Sequence, residues 1–206
     1  MDKSEWAENV ILADADYVDG VAFNLIVNFE RMLGRRIPQA DMAQWVECVA
    51  LDGGMPMAET AATGAEGQPT LQVVLVHRHG SNALQNFAPS DYADELNGKA
   101  VQTRVGECLF TVVQTEDMAP KGQLMSDLLD AVCQQPSVRR LMVVPDEQTV
   151  AQLRPVLQHH DSEQRRTTLL TMQPMAGNAW RHVLLGFSLM AALGISSKEI
   201  DEKLRE

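Results

Sequence analysis

Two aspartates one residue apart, Asp14 and Asp16, follow the apolar run Val10-Ile11-Leu12-Ala13. A short apolar strand that empties into carboxylates, with a helix after it, is how many α/β enzymes begin an active site. Ligands in open α/β sheets bind at the carboxyl ends of the strands. Carboxylates gathered in one place raise each other's pKa and need a positive charge between them. A Mg²⁺ or Mn²⁺ ion held by oxygen ligands supplies one, and one or two such ions activate water against a phosphodiester. Three more polar groups stand at later strand ends: His77-Arg78-His79, Glu116-Asp117 and Asp146-Glu147. Asp14, Asp16 and Asp146 are the candidate catalytic residues and candidate metal ligands.

Each of these residues also has a quieter reading. Asp146 follows a strand and precedes a helix, so it is a ready N-cap. Asp14 or Asp16 can bond the amides of the next helix in the same way. Glu116-Asp117 reads as a turn pair. His77 and His79 lie two apart, so an extended chain aims both to one side. Imidazoles at that spacing suit Zn²⁺, but no Cys or third His is near, and a polar strand-end turn is the better description. No Gly-rich phosphate loop follows the first strand, no GxSxG elbow is present, and no cysteine has a local activator. No organic cofactor is therefore expected. The methionines fall at core positions, as gap-filling side chains.

The elements that must position these residues alternate. Val10 to Ala13 is a buried strand. Val18, Ala22, Leu25, Ile26, Phe29 and Met32-Leu33 then recur at helical spacing up to a Gly34 stop. Pro38 is expected to open a second helix carrying Met42, Trp45, Val46 and Val49, ended by Asp52-Gly53-Gly54. Met55 to Pro69 has no apolar period and reads as a loop weakly protected from hydrogen exchange. Leu71 to Val76 is a continuous strand, and Ser90 is expected to cap a short helix. Ala100 to Thr103 and Cys108 to Val113 flank Val105-Gly106 as a hairpin. A helix over Leu124 to Val132, a strand over Val138 to Val144 and a helix after Asp146 come next. Pro155 should kink or restart that helix. Thr167 to Met172 is read as the last strand, Trp180 to Leu193 as an apolar helix, and Ser196/Ser197 as the cap of a short acidic one. This order predicts a single α/β domain over residues 1–206: a three-layer α/β/α sandwich with a mainly parallel sheet of about five strands. One antiparallel hairpin strand is allowed for, and residues 178–206 are read as a helical extension packed on the body. Val10 to Ala13, Leu71 to Val76 and Leu141 to Val144 should be neighbouring parallel strands.

Composition sets outer limits. The chain has 206 residues and a net charge of −11. An acidic chain of this size buries a core without staples and repels phosphate backbones unless a basic patch is segregated. The pairs Arg35-Arg36, Arg139-Arg140 and Arg165-Arg166 read as helix-end or surface pairs. Cys48, Cys108 and Cys133 are isolated and odd in number, as reduced thiols are. The start, Met1-Asp2-Lys3-Ser4-Glu5-Trp6, lacks a signal-peptide pattern, and Val183 to Ile195 is too short to span a bilayer. The expectation is a soluble, cytoplasmic protein with no membrane partner.

The order of elements and acids resembles the PIN-like nuclease superfamily, in particular its NYN branch. The matching segments are Ile11-Leu12-Ala13-Asp14-Ala15-Asp16, Ser126-Asp127-Leu128-Leu129-Asp130 and Met142-Val143-Val144-Pro145-Asp146. The resemblance implies metal-dependent hydrolysis of RNA, or an inactive relative, and adds Asp127 to Asp14, Asp16 and Asp146 as a metal ligand. Two positions depart from it: Pro145-Asp146-Glu147 replaces a small Ser-Gly-Asp-type turn, and Tyr17 stands where Asn is common. By the helical step Asp127 also lies well away from the apolar stripe of its helix. The chain as a whole also resembles an uncharacterised family of Bacteroides-type bacterial proteins. The rival to a nuclease is a non-catalytic interaction domain or homodimer, because the apolar residues of Trp180 to Ile195 spread around a helix that must be covered.

Overall fold

The computed structural model describes residues 6–58, 70–117, 120–160, 162–175 and 180–205. In chain order the elements are β1 (Asn9–Asp14), α1 (Ala15–Leu33), β2 (Ala40–Asp41), α2 (Met42–Asp52), β3 (Leu71–His77) and β4 (Phe87–Ala88). A π-helical turn (Tyr92–Leu96), β5 (Ala100–Thr103), β6 (Gly106–Gln114), α3 (Lys121–Cys133) and β7 (Arg140–Val144) come next. The chain closes with α4 (Val150–His159), β8 (Arg166–Thr171), β9 (Arg181–Leu184), α5 (Leu185–Ala192) and α6 (Ser197–Leu204).

Seven strands form one open sheet in the order β5-β6-β3-β1-β7-β8-β9. β1 is central and parallel to both neighbours: Val10 lies opposite Gln72 of β3 and Leu141 of β7. Every residue of β1 is buried, which is why its sequence runs apolar without alternation. Ile11 and Ala13 face α1, α2 and α5, while Val10 and Leu12 face α3 and α4. These two apolar clusters, one on each side of the sheet, make the three layers. Among the described strands of this sheet only β5 runs antiparallel, paired with β6 across the Val105-Gly106 turn, where Gly106 takes a φ of 115°.

Several elements differ from those the sequence leads one to expect. Pro38 does not open α2. The chain first pairs Ala40 and Asp41 with Phe87 and Ala88, and the Asp41 carboxylate then accepts from the Gln44 amide, so the helix starts at Met42. Asp91, not Ser90, caps the next turn, accepting from the Ala93 and Asp94 amides, and Glu95 accepts from the Ser90 and Asp91 amides in return. α4 runs through Pro155 to His159 without a restart. The sheet has seven strands rather than five, because residues 181–184 form a parallel edge strand on β8 instead of the first turn of a helix. The carboxyl-terminal segment is thus partly sheet, not a purely helical extension. The loop expected over Met55 to Pro69 lies mostly outside the described residues. Among the described residues no helix is long and apolar enough to cross a membrane.

Candidate functional site

Asp14 ends β1 and caps α1. Its Oδ1 accepts from the Tyr17 amide at 3.0 Å, so the N-cap reading is correct for this residue. The same oxygen accepts from Lys121 Nζ at 2.6 Å, and Lys121 also donates to Asp16 Oδ2 at 2.9 Å. Asp16 Oδ2 accepts from the Arg78 amide at 2.9 Å as well. The Asp14 side chain is 0% exposed and that of Lys121 is 22% exposed. Burial raises the Asp14 pKa, and the hydrogen bond and charge of Lys121 oppose the rise without cancelling it. Burial alone would lower the Lys121 ammonium, but its hydrogen bonds and charge attraction to Asp14 and Asp16 outweigh that, and its pKa is raised. The pairing therefore favours the ammonium of Lys121 and offsets only part of the cost of burying the Asp14 carboxylate.

Lys121 is where it is for local reasons. It is the first residue of α3, which begins after Pro120 without a side-chain cap. A cation is unfavourable at a helix N-terminus, so a lysine there needs a carboxylate partner. Gly122 lets this first turn press against α4; a Cβ there would run into the Gln152 carboxamide and lie 3.1 Å from Thr149 Cγ2. That close approach brings Lys121 to the end of β1.

The rest of the edge is built around this ion pair. His77, at the end of β3, is buried and stacks on Tyr92 with ring centroids 4.0 Å apart. Burial lowers its pKa. Burial also raises the Tyr92 phenol, helped by the charges of Asp16, Asp19 and Asp14. Asp19 is occupied, accepting from the Gln85 and Asn86 amides at 3.0 and 2.8 Å. A cleft of about 420 Å³ runs past Asp16, Arg78, Ser81 and Tyr92, and a neighbouring one of about 390 Å³ past His77 and Asn82.

Asp146 and Asp127 do not join the cluster. Asp146 Oδ1 accepts from the Gln148 amide at 2.9 Å, and its carbonyl accepts from the Thr149 amide and hydroxyl. It caps the turn that leads into α4, not the helix itself, whose N-cap is Thr149. The charge of this loop falls on Tyr17, whose phenol burial and the nearby Glu147 push up. Asp127 is exposed on α3 and accepts from Gln123 four residues back at 2.7 Å. His77 and His79 also separate: His77 is buried, while His79 is exposed and bonds Gln114. Among the described residues no group of three or more His, Cys, Asp or Glu is arranged to hold a metal ion.

Mg²⁺ or Mn²⁺ can be tested against this donor set. One observation favours a cation, since Asp14 Oδ2 is buried with no hydrogen-bond partner among the described residues. Two oppose it. That oxygen is sealed from solvent, and an ammonium already lies between the two carboxylates. The acids do not fit a hydrated divalent ion. Sequence reasoning missed Lys121 altogether, although a lysine in an uncapped first turn was the signal available.

Residues 3–200 match the model of one protein family. The chain belongs to the family of unknown function DUF6621. No curated protein matches it, and no solved structure does. The fold and the charge pattern at the sheet edge are therefore the basis for a function of this DUF6621 protein.

Proposed function

We propose that the chain is a PIN/NYN-like domain that does not hydrolyse RNA and acts instead as a binding module. The observation that carries this is Lys121, within hydrogen-bond distance of both Asp14 and Asp16, where the nuclease chemistry requires a cation between acids. A divalent ion would polarise a phosphodiester and activate water at such a site; an ammonium does neither. Asp146 and Asp127, the other acids implied by the nuclease resemblance, make hydrogen bonds within their own elements. The parallel core order β6-β3-β1-β7-β8, with Asp14 at the end of the central strand, supports the resemblance in architecture.

The test is incubation of the full chain with a fluorescent single-stranded RNA and Mn²⁺ or Mg²⁺, alongside melting with and without metal. No cleavage and an unchanged melting temperature are expected. Metal-dependent cleavage that disappears in Asp14→Asn would overturn the proposal.

Phe187 favours a second reading, a homodimer. It is 64% exposed on α5, beside a shallow groove lined by Met190, Ile195 and Ile200. The opposite side of α5 is covered by its own domain, with Leu185, Leu189 and Ala192 buried against the body. Sedimentation of wild type and Phe187→Glu tests it: a dimer lost in the variant supports the reading, and a monomer at all concentrations removes it.

A further inference from the structure

The opposite, amino-terminal edge of the sheet gathers arginines. Arg140 of β7 lies directly opposite Arg166 of β8. Arg181 of β9 lies opposite Thr168, two residues after Arg166. Side chains two apart on a strand share a face. Arg140, Arg166 and Arg181 therefore project from one face of three adjacent strands. Like charges directly opposite each other in a sheet are destabilising, and an acidic chain has carboxylates to spare. None of the ion pairs among the described residues uses these three; the arginines that do pair are Arg35, Arg78 and Arg104.

The cluster is also held in place. Arg140 Nη1 donates to Asn9 Oδ1 at 3.2 Å, and its Nε is buried with no hydrogen-bond partner among the described residues. The Arg166 guanidinium lies under the turn after α2: Gly54 has a φ of 83°, and a Cβ there would stand 2.6 Å from Arg166 Nη1. A cavity of about 460 Å³ opens beside Arg166 and Arg181, lined also by Arg165, Thr167, Trp180 and Glu163 but not by Arg140. Arg165 is already used, donating to the Cys133, Gln135 and Val138 carbonyls past the end of α3. The acid that senses Arg181 is half-buried Asp52, whose pKa burial raises and Arg181 opposes. Trp180 packs partly on the α3/α4 side of the core and is otherwise open to the cavity.

Guanidinium forks match phosphate oxygens, and an indole face stacks on a planar ring. We propose that this cavity binds a nucleoside phosphate, with the phosphates on Arg166 and Arg181 and the base against Trp180. The site is at the far end of the strands from Asp14 and does not depend on whether the carboxyl edge hydrolyses anything.

Calorimetric titration of the full chain at low salt with ADP, inorganic pyrophosphate and adenosine tests the proposal. ADP should bind more tightly than pyrophosphate, and adenosine should not bind. Arg166→Gln and Arg181→Gln should each weaken ADP and pyrophosphate about tenfold. Trp180→Ala should weaken ADP alone, and Arg205→Gln, a charge-matched surface control, should change nothing. The proposal is overturned if ADP does not bind, if both arginine variants bind it as wild type does, or if pyrophosphate binds as tightly as ADP. Arginine-dependent binding of an RNA oligonucleotide without binding of ADP would likewise overturn it.

Discussion

At the carboxyl edge of the sheet one cation, Lys121, sits between two carboxylates; at the amino edge three arginines share a face, and none is in an ion pair among the described residues. The acids lie at the end of β1 and the arginines at the starts of β7, β8 and β9, and the flanking segments differ. β1 runs straight into α1, and the Tyr17 amide of α1 and the ammonium of α3 both donate to Asp14 Oδ1 within the fold. β8 and β9 instead begin from loops, and their first side chains face outward. A charge answered inside the chain is a structural element. A charge outside any ion pair beside a cavity is what the proposed ligand would answer.

The largest expected effect is at the carboxyl edge. Lys121→Met leaves Asp14 buried and unpaired, and breaking such a pair costs about 3 kcal/mol. Urea unfolding at neutral pH measures it. A neutral result would mean that the lysine is not a structural counter-charge.

Adding Asp14→Asn to Lys121→Met should recover most of that loss, because the buried charge goes with its partner. The Lys121→Met deficit should also shrink on acidification. Burial already holds the Asp14 pKa above the usual 3.8, and removing the ammonium raises it further. A group whose folded pKa is raised favours the fold at low pH and loses that contribution as pH rises through the folded value. Melting of the single and double variants from pH 7 down toward pH 4 gives the sign; a deficit that grows on acidification would contradict it.

His77 should act in the other direction. Its pKa is lowered by burial, so the unfolded chain takes up its proton first. The stability it contributes is intact above the ordinary histidine pKa of about 6.5 and is lost as pH falls below that value. Replacing it in His77→Gln should flatten the melting curve of the chain between pH 7 and pH 5.5.

The smallest effect is expected at the amino edge, and it has the opposite sign to Lys121→Met. Arg166→Gln removes one of two like charges facing each other across β7 and β8, so stability should rise by roughly 0.3 kcal/mol. The gain should vanish at high salt, where surface charges are screened. A loss of stability instead would show that Arg166 has a partner in the fold and would remove the contrast between the edges.

The layer architecture was legible because strands buried on both faces carry an unbroken apolar record. Val10 to Ala13, Leu71 to Val76 and Leu141 to Val144 are neighbouring parallel strands, as their composition required. β9 was not legible. Arg181 to Leu184 is short, has no apolar strand pattern and runs into the apolar α5, so one continuous helix fits the letters equally well. At the candidate site, Asp14 and Asp16 stood out because they adjoin a strand. Lys121 did not, because it reaches them from a residue more than a hundred positions away. The arginine cluster was hidden for the same reason: Arg140, Arg166 and Arg181 read as separate surface residues until strand register lines them up.

The position of β1 has a consequence for how the molecule is made. It is the first of the described strands in chain order and the middle strand of the sheet, with Asn9 opposite Leu71 on one side and Arg140 on the other. Its apolar residues have no complete shelter until synthesis has passed Val144. Pairings this distant in sequence close slowly and leave a strand edge open to other chains in the interval. The order of the strands thus makes folding during synthesis a waiting process, in which a strand buried along its whole length is, of the described strands, the one that waits longest for its neighbours.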